Sequence, residues 1–99
     1  MRSRRAQPRK TVLTRITAVC DGQDGPAVIQ RGLLENRSLA GVAISVPNRI
    51  AIGTKVKIRG TKRELAGVVR NCRLEGPRYL VGVALDQEDV DWDGFGPGL

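Results

Sequence analysis

The chain of 99 residues contains no histidine and only three aromatic residues, Tyr79, Trp92 and Phe95. Without an imidazole there is no Ser-His-Asp triad, no histidine general base and no histidine-containing zinc site. The two cysteines, Cys20 and Cys72, are too few to hold zinc on their own. We therefore expect no catalytic residues, no metal and no cofactor, and we predict that the chain is not an enzyme.

Long apolar runs are also missing. Apolar runs such as residues 39–44 fall far short of the ~20 residues that span a bilayer. The basic N-terminal segment lacks the apolar region of a signal peptide. Because nothing marks secretion, we expect free thiols at both cysteines rather than a disulfide. These absences predict a bacterial-looking cytoplasmic protein with no membrane insertion.

Charge is plentiful and unevenly distributed. The chain has 17 basic and 10 acidic residues, a net charge of +7. Residues 1–15 include basic side chains and no acid, whereas residues 86–94 include acidic side chains and no base. A basic arm at one end and an acidic tail at the other suggest an anionic partner for the arm.

Between these ends the pattern is β throughout. Segments rich in Val, Ile and Leu are separated by Gly, Pro, Asn or Asp, and none sustains a helical stripe. The predicted strands are 11–19, 27–35, 41–46, 55–59, 65–74 and 78–85. Six short strands at this spacing predict a small antiparallel sandwich or barrel.

Two short motifs carry the functional information. Arg5 and Arg9 form an R-x-x-x-R just before the first predicted strand, and residues 36–41 read N-x-S-x-x-G between the second and third. Arginine pairs at this spacing also arise from composition, as at Arg59 and Arg63. Asn, Ser and Gly would equally serve a plain turn between strands.

In this order, the two motifs resemble those of the PilZ family, bacterial receptors for the second messenger cyclic di-GMP. The resemblance covers residues 4–86. It implies an all-β fold, a six-stranded antiparallel PilZ-type barrel over 11–86. A flexible basic ligand-binding arm would occupy 1–10, and an acidic, then glycine-rich tail that can form a short helix would occupy 87–99. The implied function is a receptor that binds cyclic di-GMP and signals by conformational change and contact with an unidentified downstream protein.

The resemblance also implies the ligand-binding residues, and their chemistry suits the ligand. The planar guanidinium groups of Arg5 and Arg9 can pair with phosphate or with guanine O6 and N7, and can stack on a purine. Asn36, where aspartate is the commoner choice, would meet a guanine edge. Ser38 can donate to or accept from the base, and Gly41 leaves room for close backbone approach.

Arg4 extends the first motif by one residue. In the PilZ family, arginine at this position tends to accompany an intercalated pair of ligands, and a bulky apolar residue a single one. The resemblance therefore implies two cyclic di-GMP molecules per domain, with Arg4 contacting the outer part of the pair.

Two other functions remain open from the sequence. The charge is consistent with a small nucleic-acid-binding β-barrel, although single-strand binders stack bases on exposed aromatic residues, which are scarce here. We therefore regard nucleic acid as an unlikely partner. A protein-interaction barrel that has lost the ligand is the other alternative, but such domains usually lack the motif residues.

Overall fold

The computed structural model describes residues 10–22, 25–38, 41–87 and 90. Within these residues the chain forms six β-strands and no helix. The strands are β1 (Lys10–Cys20), β2 (Val28–Arg37), β3 (Gly41–Val46), β4 (Lys55–Arg59), β5 (Glu64–Glu75) and β6 (Arg78–Leu85). The predicted all-β fold is confirmed. The predicted arm before Lys10 and most of the predicted tail lie outside the described residues.

The six strands close into one antiparallel barrel in the order β1-β2-β3-β6-β5-β4. β1 completes the barrel by pairing with β2 on one side and with β4 on the other. Closure leaves none of these strands with an unpaired edge, which protects Val-rich segments from pairing with other chains. Of the two architectures predicted, sandwich and barrel, the barrel is the one observed.

Strand alternation decides which side chains fill the barrel. On β4, Val56 and Ile58 point inward and are buried, whereas Lys55, Lys57 and Arg59 are exposed. In the described part of the chain, none of the buried core side chains is aromatic. The buried core residues are Ile16, Ala18, Cys20, Leu34, Val42, Ile44, Val46, Ile50, Val56, Ile58, Leu65, Val69, Val81 and Val83. The core of the described residues is therefore aliphatic.

The turn between β5 and β6 consists of two residues, Gly76 and Pro77, with Glu75 paired to Arg78 across the hairpin. Gly76 has a φ of 62°, which residues with a Cβ rarely adopt. Glycine with positive φ followed by proline fits a type II′ turn, whose twist matches that of the flanking strands.

Three register shifts interrupt the alternation in the described strands, one on β1 between Thr11 and Thr14, one near the end of β2 and one in the middle of β5. The pairing register shifts between Leu34 and Asn36 on β2, and between Val69 and Asn71 on β5. A bulge inserts an extra residue into one strand and re-aims the side chains around it. β2 continues past its bulge to Arg37, two residues beyond the predicted end. Asn36 therefore lies within a strand and not in the connection after it.

Candidate functional site

A row of cross-strand partners crosses the outer surface of four neighbouring strands. Asn36 on β2 pairs with Ala43 on β3, Ala43 pairs with Gly82 on β6, and Gly82 pairs with Asn71 on β5. Because neighbouring strands lie ~4.8 Å apart, the row is about 14 Å long. Two amide side chains therefore stand at its ends, with only small residues between them.

A second row of small residues lies beside the first. The backbone N–H of Ser38 donates to the carbonyl oxygen of Gly41 at 2.8 Å, and Gly41 pairs with Ala84 on β6. Gly41 and Ala84 thus continue the surface formed by Ala43 and Gly82. These four residues make a flat floor with no side chain larger than a methyl group.

The two rows line one groove with a volume of about 300 Å³, which we call the motif groove. It contains the three residues singled out in the N-x-S-x-x-G motif, and none of its lining residues is acidic. The lining residues are Asn36, Ser38, Gly41, Val42, Ala43, Arg70, Asn71, Gly82, Val83 and Ala84. The structure therefore brings the second motif together on one surface.

Two lining residues, Arg70 and Asn71, were not identified from the sequence. Both are exposed although they are consecutive, because the bulge on β5 turns them to the same side. Val69 is buried and Cys72 is the next residue that packs against the core. Inward-facing residues of a regular strand are two positions apart, whereas Val69 and Cys72 are three apart. This longer spacing is the sequence signal for a bulge and for a second outward-facing residue.

The polar side chains of the motif are available to a ligand. In the described part of the chain the Asn36 side-chain amide makes no hydrogen bond. The Ser38 hydroxyl lies 3.5 Å from the carbonyl oxygen of Gly41, longer than a good O–H···O hydrogen bond. Neither side chain would have to give up a strong internal partner on binding.

β1, the strand that follows the first motif in the sequence, begins beside the motif groove. Thr11 is the cross-strand partner of Asn36, and Lys10 is the partner of Arg37. The strand that follows the basic segment therefore begins beside the second motif. The arginines of that segment, Arg4, Arg5 and Arg9, lie outside the described residues.

A family model of the PilZ domain matches residues 3–92, which include both motifs. The chain belongs to the PilZ family. The PilZ family is a family of receptor domains for cyclic di-GMP, which are generally not enzymes. No curated protein matches this PilZ domain by sequence.

Other chemistry in the described residues of the PilZ domain is sparse. They contain no cluster of three or more histidine, cysteine or acidic side chains that could hold a metal ion. They also contain no helix long and apolar enough to cross a membrane. Cys20 and Cys72 are both free thiols. Burial, assisted by the nearby charge of Asp21, raises the pKa of the Cys20 thiol.

Proposed function

We propose that this PilZ domain binds cyclic di-GMP in the motif groove and communicates the binding to a downstream protein. The observation that carries the proposal is the arrangement of Asn36, Ser38 and Gly41 around one groove, next to the start of β1. The groove has no acidic lining residue that would repel a phosphate.

The floor of the groove suits a planar base. The Asn71 amide covers Gly82, and beside it a guanine ring can lie against the sheet over Gly41, Ala43 and Ala84. The amide of Asn36 stands at the rim, where it can accept from or donate to the guanine edge. Asparagine accepts through one oxygen and carries no charge, so we expect weaker binding than an aspartate would give.

Arginines would supply the charge that the ligand requires. Arg5 and Arg9 can pair bidentately with phosphates or with guanine O6 and N7, and stack on purine faces. Exposed Arg70 adds a cation on the opposite wall of the groove. Cations from two sides match a ligand with two phosphates. We further propose that two ligand molecules bind per domain, with Arg4 on the outer one.

Ordering of the basic segment would provide the signal. Fixing the backbone of residues 4–9 against the ligand costs ~1–2 kcal/mol of conformational entropy per residue. The charged hydrogen bonds to the ligand must offset this cost. The ordered segment then presents a new surface to the downstream protein. In this proposal the domain acts in the cytoplasm as a non-catalytic receptor, in keeping with its two free thiols.

Calorimetric titration with cyclic di-GMP tests the proposal, with GTP and single-stranded RNA as competing ligands. We expect saturable binding of cyclic di-GMP alone and a loss of at least about tenfold in affinity, or about 1.4 kcal/mol, in Arg9→Ala and Asn36→Ala. Arg49→Ala is the matched control, because Arg49 is exposed in the connection between β3 and β4 and does not line the motif groove. Equal affinity in Arg9→Ala and Arg49→Ala would overturn the site, and preference for RNA would overturn the ligand.

A further inference from the structure

A second and larger groove lies on the outer face of β1 and β2, bounded by the connection between β4 and β5. Its volume is about 640 Å³. Four of its lining residues are arginines and none is acidic. We call it the arginine groove, and its lining residues are Arg15, Ile16, Thr17, Arg31, Gly32, Leu33, Arg59, Gly60, Thr61 and Arg78.

The strand register explains why these arginines converge. Thr17 on β1 pairs with Arg31 on β2 and also with Arg59 on β4. The two arginines therefore flank one small residue, with Cα atoms roughly 10 Å apart. Arg15 lies two residues before Thr17 and so faces the same side of the sheet. Arg15, Arg31 and Arg59 form one cationic surface assembled from three strands.

Two of the four arginines are held by neighbours. The Nε of Arg59 lies 2.7 Å from a carboxylate oxygen of Glu64, and this hydrogen bond lowers the pKa of the Glu64 carboxyl. Arg78 donates from Nε to the hydroxyl of Ser45 at 2.7 Å and from Nη2 to the Ser45 carbonyl oxygen at 3.0 Å. Both guanidinium groups are thereby positioned at the margins of the groove.

The other two arginines have unused hydrogen-bonding capacity. Within the described residues, neither Arg15 nor Arg31 makes a side-chain hydrogen bond or an ion pair. Both are exposed. Planar, unpaired guanidinium groups are suited to bidentate pairing with carboxylates.

An apolar strip adjoins the arginine groove. Ile29 lies two residues before Arg31 on the same face of β2, is 63% exposed and pairs with half-buried Val19 on β1. Arginines next to exposed aliphatic side chains are typical of protein interfaces. The only aromatic residue in the described part of the chain, Tyr79, packs against the core. Within the described residues, this face therefore offers no aromatic platform on which nucleic-acid bases could stack.

From this combination we infer that the arginine groove and the strip of Ile29 and Val19 dock an acidic segment of a partner protein. Carboxylates of that segment pair with Arg15 and Arg31, and an aliphatic side chain beyond the carboxylate at Arg31 covers Ile29. The surface is separate from the motif groove, which lies on β3, β5, β6 and the end of β2. The inference thus goes beyond ligand binding, because it identifies the chemistry of the protein that receives the signal.

The test measures binding of a fluorescein-labelled peptide of about twelve residues, with glutamate and leucine in a two-to-one ratio, by fluorescence anisotropy at low and physiological ionic strength. We expect the Arg15→Glu/Arg31→Glu double variant to lower the affinity at least tenfold, and Ile29→Thr to lower it about threefold. Arg49→Glu reverses one exposed charge outside the groove and should change the affinity by less than about twofold.

A second double variant and a nucleic-acid probe distinguish loss of the binding surface from misfolding and from nucleic-acid binding. If Arg15→Glu/Arg31→Glu fails to fold, Arg15→Gln/Arg31→Gln removes the charge without reversing it, through a shorter polar side chain, and should still lower the affinity about fivefold. An oligothymidylate of similar charge is the nucleic-acid probe. Absence of peptide binding, equal affinity in the double variant and the Arg49→Glu control, or tighter binding of oligothymidylate through the same arginines would each overturn the inference.

Discussion

The side-chain amide of Asn71 lies directly over Gly82, its cross-strand partner on β6. A Cβ added at Gly82 would come within 2.7 Å of Oδ1 and 2.8 Å of Nδ2 of Asn71. The amide can therefore occupy this position at the wall of the motif groove only because Gly82 has no side chain. Since the contact involves the end of a flexible side chain, it determines the shape of the groove more than the stability of the barrel.

Gly82→Ala should weaken ligand binding without weakening the fold. The added methyl group displaces the Asn71 amide and reduces the flat floor on which the base is proposed to stack. We expect the affinity for cyclic di-GMP to fall about fivefold to tenfold, or ~1 kcal/mol, with a thermal midpoint within about 2 °C of wild type. Calorimetry measures the affinity and thermal unfolding measures the stability of the fold. Unchanged affinity would show that this part of the floor does not contact the ligand.

Gly41→Ala adds the same methyl group as Gly82→Ala, but it should weaken the fold. A Cβ at Gly41 would collide with the backbone carbonyl oxygen of Val83 on β6, which cannot rotate away. The β3–β6 pair must separate to admit it, so we expect a loss of ~1–3 kcal/mol in the free energy of unfolding. Urea unfolding measures this loss. Wild-type stability in Gly41→Ala would contradict the close approach of the two strands.

Gln30 is a buried polar residue that connects β2 to the segment after β3. Its Nε2 donates to the carbonyl oxygen of Asn48 at 3.1 Å, and its Oε1 accepts from the Asn48 N–H at 2.9 Å. Gln30→Met keeps the side-chain length but loses both hydrogen bonds, so we expect destabilisation by ~1–3 kcal/mol. Gln30→Ala adds a cavity and should be worse. Chemical denaturation ranks the variants, and a Gln30→Met protein as stable as wild type would exclude this connection as a stabilising contact.

Strands in which buried apolar residues alternate regularly with exposed polar residues could be predicted from the sequence. β4 is the clearest case, because Val56 and Ile58 alternate with charged residues and the strand has its predicted bounds. The grouping of Asn36, Ser38 and Gly41 followed from the motif alone. What the pattern did not show was that Asn36 lies inside β2, because a bulge allows the strand to continue past Leu34.

The rest of the two surfaces depends on register between strands distant in sequence. Arg70 enters the motif groove because of a bulge, and Arg31 and Arg59 flank Thr17 because β2 and β4 both pair with β1. A one-residue shift in pairing would send these side chains to the other face. Sequence periodicity gives the face within one strand but not the partners across the barrel.

The two cysteines should differ in reactivity. Cys20 is 5% exposed, whereas Cys72 is half-buried. Burial, followed by the charge of Asp21, raises the pKa of the Cys20 thiol above its ordinary value of 9.0, so little reactive thiolate is present near neutral pH. We expect iodoacetamide to modify Cys72 first and Cys20 only on unfolding. Mass spectrometry of partly labelled protein checks this order, and early labelling of Cys20 would contradict its burial.

The same shift in pKa affects stability at high pH. Because the folded state raises the pKa of Cys20, its contribution to stability is fully present below pH 9.0 and declines as the pH rises through the folded-state value. Cys20→Ala should therefore show a shallower loss of stability above pH 9.0 than wild type. Denaturation midpoints at several alkaline pH values measure the slope, and equal slopes in wild type and Cys20→Ala would contradict this role of Cys20.

Arg4 provides the test of the proposed ligand stoichiometry. A pair of cyclic di-GMP molecules carries twice the phosphate charge of one and exposes an additional guanine face, which a third arginine can neutralise or stack against. Titration to saturation should give about two ligands per domain for wild type and about one for Arg4→Leu, with Arg5 and Arg9 retained. Arg2→Leu removes an equal charge from the same basic segment and should keep the wild-type ratio. A ratio near one in all three proteins would show that a single ligand binds and that Arg4 has no such role.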